Sequence, residues 1–198
     1  FFVTSSLFAS TNSDFSGNGG KITIETPYLK LFNGGIITTS TNSSGKAGDI
    51  IIRANTIEVK DAIETSFDSR SGITSSVELE GTGDGGNIDI IVDNLRLIDG
   101  GSITVDALGN GSAGNIQIQA QNIDIFGVSS GESTFGIEQK QLPSEISAFS
   151  QGDFKTGSII INADRLSIRD RAKISVSSLG LGSAGNLNIT ASKINLND

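Results

Sequence analysis

A glycine-led aliphatic motif that returns six times constrains this chain more than any other feature. Gly20, Gly48, Gly86, Gly114, Gly157 and Gly185 open the copies. Two and four places on stand Ile22 and Ile24, Ile50 and Ile52, Ile88 and Ile90, Ile116 and Ile118, Ile159 and Ile161, and Leu187 and Ile189. Nine and eleven places on stand Leu29 and Leu31, Ile57 and Val59, Leu95 and Leu97, Ile123 and Ile125, Leu166 and Ile168, and Ile194 and Leu196. All 24 positions are aliphatic. The glycines are 28, 38, 28, 43 and 28 residues apart, so the unit is 28 residues, with insertions in two copies near residues 66–72 and 128–143. A fixed period in this range marks a solenoid, in which each unit buries its apolar face only against its neighbours.

The spacing within a unit names the element. Apolar positions two apart mean strands with alternating faces, and the offset of three between the sixth and ninth positions marks a corner. A third strand is read near the seventeenth and nineteenth positions, carried by Ile37, Ile103, Ile146 and Ile174; counting backward in the second copy puts Ser75 and Val77 there. Three short strands per rung with no helical period give an all-β parallel β-helix. About six rungs begin near residues 20, 48, 86, 114, 157 and 185, and form one domain over 1–198. Each leading glycine is expected at a corner that needs either a positive φ or close backbone approach. Asn87, Asn115 and Asn186 follow three of those glycines, where stacked side chains can hydrogen-bond along the axis.

Composition narrows the classes. The 198 residues carry a net charge of −8, which disfavours nucleic acid and anionic membrane surfaces as partners and permits divalent cations. There is no Cys, so neither a disulfide nor a thiolate metal site can form. His is absent as well, which removes the commonest general base along with the thiol nucleophile. No apolar run is long enough to span a bilayer, so membrane insertion is not expected. The chain opens on Phe1 inside a repeat-like segment. It is read as an excerpt of a longer protein that continues at both ends, or as a piece that stacks head to tail with neighbouring copies.

The string G-[SA]-A-G-N-[IL]-x-I-x-A-x-x-I-x-[IL] occurs from Gly111 to Ile125 and again from Gly182 to Leu196. It resembles the repeats of filamentous-haemagglutinin-like exoproteins, especially the cyanobacterial ones, and the likeness covers essentially the whole chain. Leu142-Pro143-Ser144-Glu145-Ile146-Ser147-Ala148 is similar to that family's P-S-x-[IL]-x-A repeats. The resemblance implies a right-handed β-helix in a protein of the two-partner secretion type, secreted or held at the cell surface. An outer-membrane transporter is then its partner during export.

Candidate chemistry is sparse. Asp61, Asp99, Asp170 and Asp198 share the position thirteen places after the glycine, with Asn33 and Gly127 in the other copies. Three readings compete there: turn residues at a strand end, a carboxylate pair bridged by Ca²⁺, and a catalytic pair of the kind found in polysaccharide-degrading β-helices. Gly81-Thr82-Gly83-Asp84-Gly85-Gly86-Asn87 occurs once and is read as a glycine-rich corner. The insertions are the places for specific contacts, with Phe67 and Phe135 as candidate surface residues. The reading is a non-catalytic structural shaft of an adhesin-like protein, with no cofactor and no resident metal. A carbohydrate-binding module that uses the insertions on cell-surface glycans is the alternative, and a polysaccharide-degrading enzyme is the third class.

Overall fold

A computed structural model of the chain describes residues 5–11, 17–63, 69–129 and 141–198. Every regular element among these residues is a strand; the first five repeats each supply one long and one short strand to the stack, the sixth supplies a long strand, and one short strand precedes Gly20. The long strands are β2 (Ile22–Phe32), β4 (Ile50–Lys60), β8 (Ile88–Ile98), β10 (Ile116–Phe126), β12 (Ile159–Arg169) and β14 (Leu187–Asn197). The short strands are β1 (Ser6–Phe8), β3 (Ile36–Thr41), β7 (Gly72–Val77), β9 (Ser102–Ala107), β11 (Glu145–Ser150) and β13 (Lys173–Ser178). The short set forms one six-stranded sheet in the order β1-β3-β7-β9-β11-β13, and the long set forms another in the order β14-β12-β10-β8-β4-β2. All pairings within both sheets are parallel and follow repeat order, as a β-helix requires.

Two details depart from the spacing argument. The first two of the three expected strands are one continuous 11-residue strand with a bend inside it. In β4 the ladder pairs Ala54 with Val92 and Thr56 with Asn94, leaving Asn55 and Asp93 out of the register. The offset of three is therefore a single residue that leaves the ladder without ending the strand. Pro27 holds this place in β2, where its missing N–H costs no ladder bond. The second departure is in the second copy. Ile73 pairs with Ile37 and Ile103 and is fully buried, so it fills the seventeenth-position column, and Ser75 lies one inward place further on. An insertion of unknown extent upstream made the backward count slip by two residues.

The core is a stack of aliphatic layers. Ile50, Ile52, Ile57 and Val59 of β4 are fully buried, as are Ile88, Leu95 and Leu97 of β8 and Ile116, Ile118 and Ile125 of β10. Each layer meets aliphatic side chains above and below, with Leu, Ile and Val sharing the columns: Leu29, Ile57, Leu95 and Ile123 are successive partners in register. The short strands close the layer with Ile37, Ile73, Ile103 and Ile146, all fully buried. Buried hydroxyls fasten the sheets across the interior: Thr39 donates to the Gly48 carbonyl at 2.6 Å, and the Gly86 N–H donates to Ser75 Oγ at 2.9 Å.

Candidate functional surfaces

The leading glycines form a column whose backbones almost touch. A Cβ added to Gly48, Gly86, Gly114, Gly157 or Gly185 would fall far inside van der Waals contact with the carbonyl oxygen of the preceding glycine in that column. None of these glycines has a positive φ, so of the two reasons considered, close approach is the one that applies. Three residues earlier runs a second column that opens at Gly17, where a Cβ would meet nothing; Gly45, Gly83, Gly111 and Gly182 in it are under the same restriction, and Phe154 stands in the fifth copy. Next to the first column, side-chain oxygens bridge the rungs. Asp49 Oδ1 accepts the Asn87 N–H at 2.8 Å, and Asn87 Oδ1 accepts the Asn115 N–H at 2.9 Å. The Ser158 N–H donates to Asn115 Oδ1 at 2.9 Å, and the Asn186 N–H to Ser158 Oγ at 3.0 Å. The three asparagines thus sit in a ladder that satisfies backbone donors at the corner, with one amide-to-amide bond from Asn115 Nδ2 to Asn87 Oδ1 at 3.1 Å.

The thirteenth-position column is where positive φ is found. Asn33, Asp61, Asp99 and Asp170 have φ of 50°, 64°, 48° and 54°, and Gly127 has 81°. Gly34, Gly100 and Arg171 continue the left-handed turn, which is closed by N–H donation from Gly35 to Phe32, Gly101 to Ile98 and Ala172 to Arg169. Asp, Asn and Gly tolerate this conformation best, which accounts for the column without a ligand. Among the described residues no group of three or more Asp, Glu, His or Cys side chains is placed to hold a metal ion.

Both insertions leave the helix from that same turn. The first opens as an antiparallel pair, β5 (Ala62–Ile63) with β6 (Ser69–Arg70). The second opens with an antiparallel bridge between Val128 and Pro143. Phe67 and Phe135 lie outside the described residues. Where each insertion returns, a serine takes the place that Gly35 and Gly101 hold in the uninterrupted rungs. Ser71 Oγ accepts the Gly34 N–H at 3.0 Å, and Ser144 Oγ accepts the Gly100 N–H at 3.0 Å while donating to the Phe126 carbonyl at 2.7 Å. The serine of the Pro143-Ser144 motif is thus a clip between rungs, a role its sequence context did not reveal.

Charge gathers beside the insertions on the outer face of the short-strand sheet. Glu145 is buried and pairs with Arg70 from the first insertion and with Lys173 of the next rung, the latter at 3.0 Å. Ser102, Thr104 and Ser147 point away from the core yet are also buried. Asp106 belongs to this face. Burial pushes its carboxyl up to about 6 against a bond from the Thr104 side chain, with Glu145 adding repulsion and Arg70 opposing it. No residue of this group was singled out by spacing, because residues 70, 106, 145 and 173 meet only when the rungs are in register.

Comparison with family models, with curated proteins and with solved structures finds no match.

Proposed function

We propose that this chain is a non-catalytic shaft segment of a large surface-exposed protein of the adhesin type, exported by two-partner secretion. The observation that carries the reading is that stacking alone accounts for each repeated column. The glycine columns permit close approach, the Asp and Asn column makes turns, the Asn ladder satisfies backbone donors, and the aliphatic columns fill the core. A repeat conserved within one chain for its own assembly is what a spacer needs, since reach is then set by the number of rungs, each adding about 4.8 Å. The likeness of the repeats to filamentous-haemagglutinin-like exoproteins supports the surface location and the export route.

The test is replacement. In the parent protein, residues 20–198 are exchanged for an unrelated β-helix of six rungs, and surface display is followed with antibody on intact cells. Undiminished display and adhesion are expected. Loss of adhesion with display intact would overturn the passive role, and detection of the native segment only inside cells would overturn the surface assignment.

A further inference from the structure

The two glycine columns open on glycines that nothing within the chain requires. In each later rung the Cβ direction of the column glycine points at a carbonyl of the rung before it: Gly45 at that of Gly17, Gly48 at that of Gly20, Gly182 at that of Phe154 and Gly185 at that of Gly157. For Gly17 and Gly20 the same direction points off the head of the stack. Among the described residues a Cβ on Gly17 would meet nothing within 4 Å, and one on Gly20 would meet Ala9 Cβ at 3.6 Å, an ordinary contact. Neither has a positive φ. Alanine would fit both places and restrict the unfolded chain more, yet glycine stands where an approaching rung needs it. Both sheets have free edges at that head and at the opposite tail. β1 and β2 are the edge strands of the head, β13 and β14 those of the tail, and each leaves a row of backbone groups without a ladder partner among the described residues. The core columns open at the tail: Leu187, Ile194 and Leu196 are 41%, 48% and 73% exposed, whereas Ile116, Ile123 and Ile125 in the same columns are buried. At the head, Leu7, Leu29 and Leu31 line a matching apolar hollow.

We infer that the head of one chain docks on the tail of a second copy and continues both sheets across the junction. One further step of the observed registers lays β2 on β14 and β1 on β13 together. Leu187 then meets Ile22, Ile194 meets Leu29, Leu196 meets Leu31 and Ile174 meets Leu7, aliphatic on aliphatic as in the interior columns. On the outer face Thr190 falls opposite Glu25, Lys193 opposite Tyr28 and Asn195 opposite Lys30, so no like charges stand directly opposed. Asn186 Oδ1 comes into place to accept the Lys21 N–H, as Asn87 Oδ1 accepts that of Asn115. The carbonyls of Gly182 and Gly185 arrive at Gly17 and Gly20, which gives both glycines the reason they lack in one chain. The two joining surfaces differ, so the contact is heterologous and grows into an open filament instead of closing on itself. This inference goes beyond the shaft reading and does not depend on it.

Analytical ultracentrifugation of the 198-residue chain over a concentration series tests it, with circular dichroism to follow folding. The native chain is expected to gain mass with concentration and to pass beyond two chains. Gly17→Ala/Gly20→Ala blocks the head and Leu196→Asp blocks the tail. Neither change disturbs a packed contact within one chain, so both variants should keep the native spectrum. Each variant alone should stay a monomer. An equimolar mixture of the two should stop at pairs, because it holds one working tail and one working head. A native chain that stays monomeric at millimolar concentration, or a head variant that assembles as the native chain does, would overturn the inference. Pairs formed by the head variant alone would mean tail-to-tail joining and would overturn it as well. Loss of the native spectrum in the head variant would overturn the argument from the two glycines.

Discussion

Replacing Asp106 by Asn should stabilise the protein at neutral pH, and the gain should vanish in acid. An exposed aspartate titrates near 3.8, whereas in the folded chain burial raises the Asp106 carboxyl to about 6. A carboxyl whose folded value lies above its unfolded value favours the native state when protonated. The native protein therefore pays for ionising Asp106 above pH 6, and that cost disappears as pH falls from about 6 to 3.8. A shift of about two units corresponds to about 3 kcal/mol at 1.36 kcal/mol per unit. Residual exposure of Asp106 screens part of this, so about 1.5–3 kcal/mol is expected at pH 7.5. Asn keeps the shape and can still accept from Thr104. Urea unfolding of both proteins from pH 4 to 7.5 should give curves that coincide near pH 4 and separate above pH 6, with the variant the more stable. A difference that does not change with pH, or a native protein more stable than the variant at pH 7.5, would refute the reasoning.

Other outcomes follow from the same geometry. Gly114→Val should lower stability by more than about 4 kcal/mol or prevent folding, because its Cβ would overlap the Gly86 carbonyl oxygen; an unchanged melting temperature would exclude the close approach. Gly20→Ala, whose Cβ would lie 3.6 Å from Ala9 Cβ, should cost less than about 1 kcal/mol in the same assay. Arg171→Gly should stabilise by about 1 kcal/mol in urea unfolding by relieving a φ of 64° on a residue with a Cβ. Ser144→Ala should cost about 2 kcal/mol and speed amide exchange at Gly100, since the hydroxyl serves both that N–H and the Phe126 carbonyl.

The period of two, the return of the glycine every 28 residues and the aliphatic columns made the β-helix and its rungs readable from sequence alone. In a stack each rung is its neighbour's environment, so the same demand is written into the chain again and again, and repetition separates it from chance. The tertiary structure decided whatever depends on direction and on neighbours far apart in the chain. It decided that the corner glycines avoid a clash along the axis, while the left-handed turn belongs to Asn33, Asp61, Asp99 and Asp170. It seated Ile73, where counting across an insertion had failed, and kept the long strand continuous through its bend. It brought Arg70, Glu145 and Lys173 together and buried Asp106 beside them. Those contacts occur once, between residues tens of positions apart, and a single occurrence leaves no period to read.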